Sequence, residues 1–194
     1  MEIETGGIPG PLVAAYDAIP IAFEVTSVLT ADRRGDGSFV LGEHTIATPY
    51  VKDYDAISER PREWADRFDT SQWTLLLAWS GREYIGAATV AFRTPGLEML
   101  EGRRDLALLW DIRVAPAFRG RGVGRALFEA AASSARGQGC RELKVETQNV
   151  NVAACRFYAA MGCELRAVDA RAYPQHPDES QFLWYKPLEN GSRT

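Results

Sequence analysis

The run Asp111-Ile112-Arg113-Val114-Ala115-Pro116-Ala117-Phe118-Arg119-Gly120-Arg121-Gly122-Val123-Gly124-Arg125-Ala126-Leu127 joins a strand pattern to a helix pattern through a loop rich in glycine and arginine. Upstream, Leu106 to Val114 is apolar enough for a buried strand. Downstream, Gly122 to Arg136 carries Val123, Leu127, Ala130 and Ala131 near helical spacing, with Gly137 placed to end the helix. Between them, the missing side chains of Gly120, Gly122 and Gly124 let peptide N–H groups, Val123's included, come close to a bound group. The first N–H groups of a helix lack internal partners, and that end of the helix dipole is positive. A pyrophosphate satisfies both, and Arg119, Arg121 and Arg125 add cationic donors. Taken alone, a glycine-rich loop with surface arginines explains the string almost as well. Two nucleotide motifs are excluded more firmly. A P-loop needs Lys-Ser or Lys-Thr after its last glycine, where this chain has Arg125-Ala126, and the G-x-G spacing here does not continue to G-x-G-x-x-G.

Working outward, Leu143 to Thr147 reads as a strand, Val152 to Met161 as a helix closed by Gly162, and Phe182 to Tyr185 as a short final strand. Toward the N-terminus, Trp73 to Trp79 and Tyr84 to Phe92 read as an antiparallel pair turning at Ser80-Gly81-Arg82-Glu83. Further up lie a strand over Ile21–Leu29, a turn over Asp32–Gly37 and a second strand over Ser38–Ile46. Ser58 is placed to cap a short helix with Pro61 in its first turn and Trp64 and Phe68 on one face. Residues 1–20 hold too many glycines and prolines for an element and are expected to be irregular. The expectation is a single α/β domain over 1–194: strands first, then β-α-β-α-β on a mixed sheet.

Composition sets the outer limits. A chain of 194 residues with 46% hydrophobic and 25% charged residues can bury its own core without metal or disulfide support. A net charge of −4 argues against a nucleic-acid partner. Cys140, Cys155 and Cys163 form no C-x-x-C pair, and His44 and His176 are the only histidines, so no metal site is expected. No apolar run approaches the roughly 18 residues that cross a bilayer, and the first residues lack a basic start. The expected address is the cytoplasm, with no membrane partner.

The string from Asp111 to Leu127 resembles the acyl-CoA-binding motif of the GNAT N-acetyltransferases, Q/R-x-x-G-x-G/A after a strand ending in valine. Arg119, Gly122 and Gly124 stand at its defining positions. The resemblance implies a GNAT fold around a splayed central strand pair, with the acyl-CoA-binding core at about 106–165. It implies acetyl-CoA as donor, its pyrophosphate on the loop from Arg119 to Arg125. Backbone groups of Ile112, Arg113 and Val114 would pair with pantetheine and the acetyl carbonyl. A second signature, Asn151-Val152-Ala153-Ala154-Cys155-Arg156-Phe157-Tyr158, resembles the family's N-x-x-A-x-x-x-Y. There, Asn151 either caps a helix or turns its amide to pantetheine, Ala154 lies against the cofactor, and Tyr158 protonates the leaving thiolate. Taken singly, Asn151 as a plain cap and Tyr158 as core are sound readings too.

Acetylating an amine requires its neutral form, and a lysine-like amine with pKa about 10.4 is neutral at pH 7 only to the order of one part in a thousand. A carboxylate or a water chain that accepts the proton is therefore useful. Asp111 and Glu146 are the candidate bases, because acidic residues inside strands ask for a reason. Each has an alternative, facing solvent or pairing with an arginine such as Arg113. Cys155 and Cys163 have no evident histidine partner and are given no role.

Within the family, the chain is similar to the streptothricin acetyltransferases. The pieces that carry this are Phe23-Glu24-Val25, Tyr50-Val51-Lys52 with Tyr54, Leu143-Lys144-Val145-Glu146-Thr147-Gln148-Asn149, Val168-Asp169 before Tyr173, and Leu183-Trp184-Tyr185. This branch implies a small cationic amine as acceptor, on the β-lysine part of an antibiotic, and a role in antibiotic resistance. Asp53, Asp55 and Glu59 could supply a matching negative field, although arginines and Lys52 interrupt that segment and a solvated loop explains it more simply. The family's Gly-Phe after the tyrosine helix is Gly162-Cys163 here. Two other readings stay open: a different acceptor (polyamine, amino acid or protein lysine), and an acyl-CoA-binding module without turnover. Oligomeric state is open as well, a homodimer included.

Overall fold

Along residues 1–188, which this computed structural model describes, the order is β1 (Glu2–Gly6), α1 (Val13–Asp17), β2 (Phe23–Arg33), β3 (Phe39–Lys52), α2 (Trp64–Arg67), β4 (Thr74–Ser80), β5 (Glu83–Ala91), β6 (Leu106–Val114), α3 (Val123–Gly137), β7 (Glu142–Gln148), α4 (Val152–Ala160), β8 (Glu164–Asp169) and β9 (Gln181–Pro187). The chain forms two compact units. One holds 1–21, 53–143 and 187–188; the other holds 22–52 and 144–186.

In the first unit β1, β4, β5 and β6 pair antiparallel in that order, with Glu4 opposite Leu77, Leu75 opposite Thr89 and Ala88 opposite Ile112. Strand β4 is buried from Leu75 to Ala78 and β5 from Ile85 to Ala91, so both faces must be covered there. Period-two alternation divides the work. Leu75, Leu77, Ala87 and Ala91 join Tyr16, Trp64 and Trp73 in one apolar cluster, while Gly86 faces α3. A Cβ built on Gly86 would lie 2.9 Å from Leu127 Cδ1 and Val123 Cγ1 and 3.0 Å from the Arg113 carbonyl oxygen. Helix α3 can therefore seat on β5 only because this side chain is missing. Gly86→Ala is expected to lower stability by about 1–3 kcal/mol, as overpacking does, measured as a reduced midpoint in urea.

In the second unit β7 lies beside β9, which pairs antiparallel with β8, and β2 and β3 form a separate hairpin. Asp36 closes the hairpin by accepting from the Ser38 N–H and hydroxyl at 2.9 and 2.7 Å.

Several expectations are corrected. Residues 1–20 are not irregular: Gly7, Pro9, Gly10 and Pro11 fall between β1 and α1 and Pro20 follows α1, leaving 2–6 free to pair with β4 and Val13 and Tyr16 free to be buried. Strand β3 passes Ile46 and runs through Pro49 to Lys52, because a register shift opposite Val25–Ser27 absorbs the proline in an edge strand. Strand β8 went unseen, being half exposed and charged at both ends. Ser58 does not cap the helix after it; its hydroxyl donates to the Tyr54 carbonyl at 2.9 Å, and the turn begins at Pro61. Gly137 is the last helical residue of α3, and Gly139 takes the left-handed position beyond it (φ +79°).

Candidate functional site

The loop after β6 begins with one 3-10 turn over Pro116–Phe118. Arg119 then folds back, its Nε donating to the Val114 carbonyl at 3.1 Å. Gly120 and Gly122 have φ of +73° and +85°, and Gly122 is the N-cap of α3. A Cβ at either would meet nothing within 4 Å, so what these positions demand is the left-handed backbone and the open space beside it. Gly124 lies inside the first turn of α3, with no such φ. Among the described residues, the peptide N–H groups of 120 to 125 donate to no backbone acceptor; the first to do so is Ala126, to Gly122 at 3.0 Å. Arg121 lies 5.6 Å over the Phe118 ring, and Arg125 stands 3.9 Å from Glu129, both of that pair exposed. A row of unpaired amides at a helix N-terminus, with open space and guanidinium groups beside it, suits a polyanion with several acceptor oxygens. Coenzyme A's pyrophosphate meets that description.

Ile112, Arg113 and Val114 stand opposite Ala88, Ala87 and Gly86. Just before them the register shifts: Thr89 faces Asp111 and Val90 faces Leu109, leaving Trp110 as the extra residue of a bulge. Bulges sharpen twist and re-aim the strand. This one is held by aromatic packing, with Trp110 at 5.0 Å from Phe68, 5.3 Å from Trp73 and 6.4 Å from Trp64, ring to ring.

Asp111 sits in a charged cluster. Arg113 donates to both of its oxygens (Nε to Oδ1 at 3.1 Å, Nη2 to Oδ2 at 2.8 Å), and the Tyr16 hydroxyl donates to Oδ1 at 2.6 Å. The same guanidinium reaches Asp55 at 3.1 and 3.2 Å and the Ile19 carbonyl at 3.0 Å. Burial and then the Asp111 charge push the Tyr16 phenol well above its ordinary range, so it remains a neutral donor. Burial opposes the charge on Arg113, but the Asp111 hydrogen bonds and charge outweigh it and hold the group protonated. The arginine-paired alternative for Asp111 is thus the geometry found. Asp55 is spent on the same cluster, and Glu59 pairs with Arg67.

In the second unit, Asn151 caps α4 by accepting the Ala154 N–H on Oδ1 at 3.1 Å, which leaves Nδ2 outside the cap. At the other end of α4, Gly162 is left-handed, its N–H donating to the Ala159 carbonyl and the Cys163 N–H to the Tyr158 carbonyl, each at 3.0 Å. This closure fixes the backbone of Tyr158, whose side chain is buried with its ring edge-on to Phe157. One turn earlier, Cys155 Sγ lies 3.3 Å from Thr147 Oγ1, which accepts from Trp184 Nε1 at 2.9 Å. Burial pushes the Cys155 thiol up to about 11 and Cys163 up to about 12, so neither is a thiolate at neutral pH. Glu146 is exposed on β7 between buried Val145 and Thr147, and its Oε1 accepts the Tyr173 hydroxyl at 2.5 Å.

Sequence reasoning missed Tyr16, hidden in a segment expected to be irregular, and Asn149. The Asn149 side chain donates to the Leu29 carbonyl at 3.1 Å and accepts the Ser180 N–H at 2.9 Å, while its own N–H and carbonyl bond Ser180 and Leu29. It also missed the buried pair of Lys52 and Glu179, 2.5 Å apart. Lys52 and Asn149 lie inside strings that carry the resemblance, but nothing local names their partners.

Comparison with known proteins now joins these halves to a family. Residues 43–163 match the model of the acetyltransferase (GNAT) family. A streptothricin acetyltransferase of Streptomyces lavendulae is 28% identical over 175 residues, 90% of this chain and 88% of that protein. One from Escherichia coli is 35% identical over 153 residues, 77% of each. The crystal structure of nourseothricin acetyltransferase superposes with a TM-score of 0.72 at 25% identity, over 97% of this chain and 100% of that one. A Bacillus anthracis protein described as a streptothricin acetyltransferase, solved with acetyl coenzyme A, shares the fold at a TM-score of 0.75 and 21% identity, over 97% and 99%. The chain belongs to the GNAT acetyltransferase family and is an N-acetyltransferase related to the streptothricin acetyltransferases.

Proposed function

We propose that this N-acetyltransferase carries the acetyl group of acetyl-CoA to a primary amine on a small cationic molecule, the β-lysine amine of a streptothricin-type antibiotic. What carries the acceptor is the 35% identity to the Escherichia coli streptothricin acetyltransferase across 77% of both chains. The unpaired amides of 120–125, with Arg119, Arg121 and Arg125, support a pyrophosphate site.

When bound, acetyl-CoA supplies a thioester carbonyl open to attack by an amine. In our reading the loop amides anchor its phosphates, and Ile112, Arg113 and Val114 present backbone groups to its arm, with Asn151 Nδ2 and Ala154 beside it. A peptide N–H of the 112–114 segment faces the negative charge that develops on the carbonyl oxygen. Glu146 takes the proton from the amine: it is exposed, and Tyr173 occupies only one of its oxygens. Asp111, with both oxygens committed to Arg113 and Tyr16, serves to fix the bulged strand. Tyr158 returns a proton to the thiolate.

Purified protein with acetyl-CoA and streptothricin should release CoA thiol well above background and yield acetylated antibiotic by mass spectrometry. Background release with streptothricin, alongside rapid turnover of spermidine or L-lysine, would remove the antibiotic and keep the enzyme. No turnover with any amine, despite tight acetyl-CoA binding, would favour a binding module.

A further inference from the structure

Residues 170–180, between β8 and β9, have no regular structure, yet they are tied down at several points. At the start, Asp169 accepts the Arg171 N–H at 2.8 Å. At the far end, Asn149 holds Ser180 through both side chain and backbone. Just before Ser180, Glu179 is buried with Lys52 of β3, both carboxylate oxygens within 2.6 Å of Nζ, and the two side chains are only 7% and 5% exposed. Burying a charge pair to fasten a surface loop is costly, because both ions lose their hydration. Such an anchor asks what the loop must hold in place. The connection touches the proton-accepting candidate through the Tyr173 hydroxyl, which donates to Glu146 Oε1.

We propose that the 170–180 connection is a rigid arm, anchored by Glu179–Lys52 and Asn149–Ser180, which places Tyr173 on Glu146 as a positioning residue. The inference rests on Glu146 as the group that takes the amine proton. An exposed glutamate on a strand has several rotamers to choose among, and only some aim its carboxylate at an acceptor. Tyr173 binds Oε1, restricts those rotamers and leaves Oε2 for the ammonium group and then for the proton it gives up. It transfers no proton itself and need not touch the substrate. The arm thus adds preorganisation to the base, independently of donor binding.

The test is a double-mutant cycle of Tyr173→Phe and Glu146→Gln, run with whichever of streptothricin, spermidine and L-lysine is turned over fastest. Calorimetric acetyl-CoA affinity and melting temperature are followed in each variant. Tyr173→Phe should lower kcat/KM for the amine about tenfold, with acetyl-CoA affinity and melting temperature unchanged. In the Glu146→Gln background the same change should have no further effect, because there is no base left to aim. Two effects that simply multiply, or a Tyr173→Phe enzyme at full rate, overturn the proposal while Glu146 keeps its role. Full rate in Glu146→Gln overturns both, and the two failures are told apart by that single variant. Lys52→Met with Glu179→Leu, which removes the anchor without stranding a charge, should reproduce the Tyr173→Phe loss and be insensitive to adding it.

Discussion

Replacing Gly122 with valine is expected to abolish acetyl-CoA binding measured by calorimetry, weakening it by about a hundredfold or more. Gly122 stands at φ +85° as the N-cap of α3, and a β-branched residue held there stores on the order of 1–3 kcal/mol of strain. The loop can escape by leaving the left-handed region, but doing so turns the N–H groups of 120–125 out of their common array. Losing two charge-assisted hydrogen bonds at about 1.5–3 kcal/mol each gives a factor of about 10² to 10⁴ in Kd. Nothing inside the protein lies within 4 Å of a Cβ at this position, so the fold itself should survive. A melting curve near that of the native protein verifies this. Gly122→Asn is the graded control, since asparagine tolerates the left-handed region better than valine. Gly124→Val should also block binding, by side-chain bulk in the first turn rather than by strain. A folded Gly122→Val protein that binds acetyl-CoA normally would place the phosphates elsewhere.

The loop is legible because its chemistry is local: glycines, arginines and a helix start lie within a few residues of each other. The same holds for the helix that bears Tyr158, where a capping asparagine and a closing glycine bracket the tyrosine. What the sequence could not disclose depends on partners far along the chain. Asp111 has two open roles in the sequence, and its bonding depends on Tyr16, 95 residues away, and on Arg113, which also holds Asp55 58 residues away. Tyr16 sits in a stretch whose glycines and prolines argue against any element, although those breakers lie at the ends of β1 and α1 or between them, and Val13 and Tyr16 in the helix are buried. Glu146 likewise acquires meaning only through Tyr173, and the tether behind Tyr173 runs from Glu179 to Lys52 across 127 residues. Half-exposed strands such as β8 mix charged and apolar residues without the clean alternation that marks a strand. Local signals located the glycine-arginine loop; long-range contacts separated a carboxylate bonded to Arg113 and Tyr16 from an exposed one.

Tyr158→Phe should lower kcat by about a hundredfold and leave acetyl-CoA affinity within about twofold. The substitution removes one hydroxyl and keeps the ring, which is buried in α4 beside Phe157, so packing is preserved. Positioned general acids contribute about 10² to 10⁴ in rate. The lower end applies here because a thiolate, with a conjugate-acid pKa near about 8.5, leaves with less help than an alkoxide. Its departure still depends on a proton source, and a buried phenol held in place is better positioned than solvent to be one. Two measurements separate this role from its rivals. If Tyr158 binds the donor, calorimetry will show a weakened Kd and saturating acetyl-CoA will recover the rate. If water protonates the thiolate, kcat will stay at the native value. A loss of kcat that saturation does not recover, in a variant that binds donor normally, is the signature of a group acting only once the C–S bond is breaking. Because the hydrogen bonds that close α4 fix the backbone of Tyr158, Gly162→Val should produce a milder loss in the same direction by moving the hydroxyl without removing it.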